Sequence, residues 1–161
     1  MQINQIVSML QEDLKNERKH MLFYLQAGVM VQGLHREELS EMFLKEAQDE
    51  HQHVVMFSRL IVQLGSIPNQ EVASFPTDLV CPLKIIQYAR DMEQEVSEIY
   101  SKRMIETSNE NRGSFESYVN LFYEDQLQDS QKTALELNQY IPSVGWNFQN
   151  SFLGSKNMTQ D

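Results

Sequence analysis

The stretch KEAQDEHQHVV, Lys45 to Val55, sets Glu50 and His53 three residues apart among apolar neighbours, with no glycine or proline around them. On a helix that spacing aims two donor groups to the same side, about one turn apart. Charged residues on a helix usually form a solvated face. Whether these two face inward depends on what the rest of the chain offers at their level.

Working outward, the chain reads as helix after helix. Residues 3–32 hold no proline and a single glycine, Gly28, before Gly33 closes the segment. A second helix is expected over 37–64, ending at Gly65 and Pro68. SIPNQEVASFPTDLVC (66–81) carries Pro68 and Pro76 and reads as a long connection. Pro82 suits the first turn of a third helix running to about 107. SNENRG (108–113) reads as a turn, 114–140 as a fourth helix, and 145–153 as a short fifth one beyond Pro142. No segment alternates as a strand would. The expected fold is all-α, a single four-helix bundle over residues 1–161, with a long crossover between its second and third helices.

Steps of four and three along the first helix give Ile3, Val7, Leu10, Leu14, Glu17, Met21, Tyr24, Gly28 and Val31, a seam whose one ionic member is central. The second helix gives Leu39, Phe43, Glu46, Glu50, His53, Phe57, Leu60 and Leu64. The third gives Ile86, Ala89, Glu93, Val96 and Tyr100, leaving Glu95 and Glu98 outside. The fourth gives Phe115, Val119, Phe122, Gln126, Asp129 and Thr133. Glu17 and Glu50 lie 33 residues apart about the first turn, and Glu93 and Gln126 lie 33 apart about the second. Residues equidistant from the turn of an antiparallel hairpin lie side by side. Glu17, Glu50, His53, Glu93, Gln126 and Asp129 should therefore meet at one level inside the bundle.

Carboxylates buried there without partners would each cost several kcal/mol or take up a proton. No Lys or Arg falls on the four stripes, so bound cations are the economical answer. Many oxygens, one imidazole and no thiolate suit iron or manganese better than zinc. Four acids and a histidine suit two ions sharing a carboxylate.

Five pieces, taken in order, resemble the ferritin family and most of all the non-haem bacterial ferritins. They are Asn16–Glu17 with Tyr24 seven residues on, AQDEHQH (47–53), LGSIP (64–68), MEQEV (92–96) and DQLQD (125–129). The resemblance covers roughly residues 3–140. It implies a first iron on Glu17, Glu50 and His53, and Glu50 bridging to a second on Glu93, with Gln126 and Asp129 beside it. It also implies that Tyr24 supplies an electron or orients oxygen, although Tyr24 reads equally as a core tyrosine with a bonded hydroxyl. Asp129 is one methylene shorter than the family's Glu, which weakens the expected hold on the second iron. Asp49, Asp125 and Gln128 match an extra iron position towards the cavity, or a solvated face. His51 stands where bacterioferritins carry their haem-ligating Met, so haem is not expected. His20, about 60° around the helix from Glu17, is within reach of a metal or is an ordinary flanking histidine.

The resemblance thus implies ferroxidase activity: two Fe(II) per subunit oxidised by dioxygen or peroxide, and ferric mineral stored in a homo-oligomeric cage of 24 subunits, its channel lined by the short fifth helix. A rubrerythrin-like di-iron peroxidase or oxidase is the alternative, but it would normally carry a second E-x-x-H on the fourth helix. A net charge of -10 speaks against nucleic acid as a partner and favours cations. No apolar run approaches a membrane span, and the first residues lack a basic-then-apolar secretory pattern, so a cytoplasmic location is expected. A lone Cys81 leaves no disulfide framework and no cysteine-built zinc site.

Overall fold

The computed structural model describes residues 2–108 and 114–154, with side chains for 2–108 and 115–142. The helices are α1 (Ile3–Met30), α2 (Arg36–Gln63), α3 (Pro82–Thr107) and α4 (Ser114–Gly154). Their starts and ends fall within two residues of the sequence reading except at the C-terminus. There the helical backbone of α4 continues through Pro142 to Gly154. The expected separate helix at 145–153 falls on residues whose side chains lie outside the described ones, and so does the turn over 109–113.

Local chemistry sets the ends. Gly65 has a φ of +78° and follows the C-cap Leu64. Its amide donates to Val62 and that of Ser66 to Ile61, the paired bonds of a Schellman stop. Pro82 is the first residue of α3, where a missing N–H costs no helical bond.

α1 pairs with α2 and α3 with α4, and α1 also meets α3. The connection between the hairpins runs along α1. Gln11 Nε2 donates to the Ile67 carbonyl at 2.8 Å, the Ala73 amide to the Lys15 carbonyl at 3.3 Å, and the Gln32 amide to the Val80 carbonyl at 3.1 Å. The contact points advance along α1 as the connection advances, so it spans the bundle's length. α3 therefore starts at the end where α2 started, and the two helices run parallel.

The apolar core is split in two. One cluster, with Phe23, Tyr24, Phe43, Ile85, Ile86 and Met92, lies towards the α1–α2 turn. The other, with Ile6, Leu10, Leu14, Phe57, Ile61, Val96 and Tyr123, lies towards the opposite end. Between them comes the ionic layer the sequence placed at mid-height.

Two stripes are shifted from their expected positions. On α1, Ile3 is exposed, while Ile6, Asp13, Phe23 and Ala27 are buried. The connection covers a second flank of this helix, with Phe75 packed edge-on to Phe23. On α4 the buried face is Val119, Tyr123, Gln126, Ser130, Ala134 and Leu137. Phe122 and Asp129 sit one step round, at the rim. Small Ser130 and Ala134 let α4 settle closely on this face, and Tyr123 anchors it by donating to Asp13 Oδ2 at 2.7 Å.

Candidate metal centre

Glu17, Glu50 and Glu93 are each at most 5% exposed, and they come from three different helices. Each was placed inward by an apolar seam above and below it. His53 Nδ1 lies 3.1 Å from Glu50 Oε2 and 3.2 Å from Glu17 Oε2. His20 Nδ1 lies 3.6 Å from Glu50 Oε1 and 3.5 Å from Glu93 Oε1. The two oxygens of Glu50 are thus divided between two imidazoles. Two three-residue groups result, Glu17–Glu50–His53 and His20–Glu50–Glu93, each with ligand atoms close enough to hold one ion.

Two buried tyrosines brace the outer carboxylates. Tyr24 on α1 donates to Glu93 Oε1 at 2.7 Å, and Tyr100 on α3 donates to Glu17 Oε1. Tyr24 lies seven residues after Glu17 and Tyr100 seven after Glu93, so each helix supplies one carboxylate and the tyrosine that holds the other helix's carboxylate. Sequence reading placed Tyr100 on the α3 stripe but gave it no role. The 76-residue offset between the hairpins, which carries Glu17 to Glu93, also carries Tyr24 to Tyr100 and was the available signal.

The remaining residues define a mouth. Gln126 is buried with its Oε1 lacking a hydrogen-bond partner among the described residues. Asp129, 47% exposed at its side chain, meets His53 Nε2 at 3.2 Å, across that ring from the Nδ1 that faces Glu17 and Glu50. Asp49, Asp125 and Asp129 line a cavity of about 460 Å³ together with His53, Gln126 and Phe122. Asp49 also pairs with Lys45 at 2.9 Å. His51 and Gln128 are exposed.

Electrostatics show how tightly the acids are packed. Burial, reinforced by the charge of Glu50, pushes the Glu17 carboxyl above its ordinary value. Burial works against a charged His20, yet Glu93 and Glu50 outweigh it and hold the ring's pKa up at about 10. His53 is raised in the same way, by Asp129, Glu17 and Glu50 against its burial. Asp129 is lowered, chiefly by its bond from His53. Without metal, the two imidazolium rings are the counter-charges of this layer. Three buried carboxylates and two imidazoles fit a pair of divalent cations of intermediate softness, with Glu50 between them.

The comparisons agree with the fold. Residues 7–144 match the ferritin-like domain, and the chain belongs to that family. No curated protein matches the sequence. Among solved structures, it resembles a ferritin-like diiron-carboxylate protein from Bacillus anthracis str. Ames, with a TM-score of 0.77 at 24% identity over 86% of this chain and 96% of that one. It also resembles a dodecameric thioferritin, the bacterioferritin-related protein from Bacteroides fragilis, with a TM-score of 0.77 at 15% identity over 95% and 93% of the two chains. At such identities the likeness is one of fold. No helix among the described residues is long and apolar enough to cross a membrane.

Proposed function

We propose that this chain, as one ferritin-like unit, takes two Fe(II) into the centre, oxidises them and passes the ferric product into a closed protein shell in the cytoplasm. The observation that carries this reading is the division of the two Glu50 oxygens between two ligand groups. A carboxylate so placed joins two ions and lets them give up electrons together. Two Fe(II) give two electrons to dioxygen, which with two protons leaves as hydrogen peroxide; peroxide as oxidant takes the same two electrons and two protons to become two waters. Buried apolar clusters on both sides keep bulk water from the pair. Asp49, Asp125 and Asp129 at the mouth gather Fe(II) and lead it past His53.

The proposed shell has 24 subunits. Val29 and Leu34, 74% and 91% exposed near the α1–α2 turn, and Ile67, 85% exposed near the opposite end, are apolar surface for neighbouring copies. The Bacteroides fragilis neighbour is a dodecamer, so mass decides. Light scattering should give about 450 kDa for 24 copies of the 18.8 kDa chain, and half of that would replace the larger shell with the smaller.

Stopped-flow absorbance after mixing oxygen with anaerobic protein carrying two Fe(II) per subunit tests the chemistry. A fast ferric phase that saturates at two per subunit is the expected result, and Fe(II) oxidising at its protein-free rate overturns it. A di-iron peroxidase is the second reading, favoured by the second buried imidazole, His20. It requires faster oxidation by peroxide than by dioxygen and no retained iron beyond the pair.

A further inference from the structure

We infer that His20 is the nitrogen ligand of the second metal position, so that each ion receives one imidazole, one terminal carboxylate and one oxygen of Glu50. The inference deepens the metal-binding reading above and rests on it.

Geometry brings His20 to this role. The ring is 1% exposed, and its Nδ1 sits within 3.6 Å of both Glu50 Oε1 and Glu93 Oε1. Glu50 presents its other oxygen to His53, so the two imidazoles flank one carboxylate from opposite sides. His20 Nδ1, the nitrogen that faces both carboxylates, is the atom placed to bind an ion.

The fourth helix does not supply the missing donor. Asp129 is turned to His53 Nε2, where it orients the first imidazole as an outer partner. Gln126 offers a neutral amide oxygen only. The sequence carries the compensation: Glu17–Arg18–Lys19–His20 is itself an E-x-x-H, on α1, matching Glu50–His53 on α2. Its two donors divide, Glu17 going to the His53 group and His20 to the Glu93 group. Both imidazoles thus come from the first hairpin. The 76-residue offset puts Val96 opposite His20, so the second hairpin has no counterpart. The second ion is then held without help from the short Asp129.

Anaerobic calorimetric titration of the full-length metal-free protein with Co(II) tests this. Wild type should bind two equivalents, and His20→Gln, checked for helicity by circular dichroism, should bind one. His20→Gly should also bind one and regain the second when free imidazole fills the space. Two equivalents in His20→Gln at unchanged affinity, or a lost equivalent that imidazole does not restore in His20→Gly, would overturn the inference while leaving the metal-binding reading intact. Wild type binding no Co(II) at all would overturn both.

Discussion

Tyr24 on α1 donates to Glu93 on α3 across 2.7 Å of buried interior. Tyr100 returns the bond from α3 to Glu17 on α1. Each tyrosine fixes the carboxylate that its own helix does not supply, so α1 and α3 cannot rotate without opening both ligand groups. Both hydroxyls are held well above their ordinary pKa, first by burial and then by the adjacent carboxylate, and they stay protonated donors. Tyr24→Phe and Tyr100→Phe should each weaken metal binding by about 10- to 100-fold, the usual effect of removing an outer partner of a ligand. Calorimetry with Co(II) should show the second equivalent affected in Tyr24→Phe and the first in Tyr100→Phe.

Glu50→Ala should abolish coupled oxidation, since both ligand groups lose their shared member. Glu93→Ala should empty one position and leave the other. Neither change removes apolar packing. Metal-free Glu50→Ala should therefore keep wild-type helicity by circular dichroism while losing the fast phase in stopped flow. A fast phase that survives the substitution would place the chemistry elsewhere.

At Gly28, α1 and α2 are in close contact. A Cβ there would stand 2.7 Å from Leu44 Cγ and 3.2 Å from the Leu44 amide nitrogen. The Ser40 hydroxyl donates to the Gly28 carbonyl at 2.5 Å, fastening the same contact. Gly28→Ala should cost about 1–3 kcal/mol through this overpacking, despite the better helix propensity of alanine. Urea unfolding at constant m-value is the measurement.

Asp13 ties three helices together. Arg103 on α3 donates to both of its oxygens, at 3.0 and 3.1 Å, and Tyr123 on α4 donates at 2.7 Å. Removing the carboxylate strands a half-buried guanidinium and a buried hydroxyl. Asp13→Ala should therefore destabilise the protein by about 3–5 kcal/mol. Asp13→Ala combined with Arg103→Met should recover a measurable part of that loss, and absence of any recovery would mean the pair is not coupled.

Glu46, on the inner side of α2, has its carboxyl pushed up to about 7, mainly by burial, with Lys45 opposing. Its folded pKa lies above its unfolded value, so the folded state binds the proton more tightly. The associated stability is present below the unfolded value of about 4.5 and is lost as pH rises through about 7. Discounted for its partial exposure, the effect is about 1–2 kcal/mol. Metal-free wild type should lose stability as pH rises from about 4.5 to about 7, and Glu46→Gln should show a shallower loss over the same window. Parallel melting curves for the two proteins would remove Glu46 from this account.

Periodicity, with glycine and proline marking the ends, was enough for the four helices, the first short turn and the long connection. It also put Glu17, Glu50, His53 and Glu93 at one height, because residues equidistant from a hairpin turn must be neighbours. Apolar residues on both sides of each ionic position left burial as the consistent reading. What periodicity could not supply was the rotation of each helix about its own axis. Adjacent residues differ by about 100°, so Phe122 and Tyr123, or Asp129 and Ser130, make almost equally good inward stripes on α4. Packing chose Tyr123 and Ser130, because Asp13 on α1 accepts the tyrosine hydroxyl's bond and small Ser130 and Ala134 are buried on the same face of α4. That choice turned Asp129 out to His53, left the second position to His20, and could be made only once three other helices were in place.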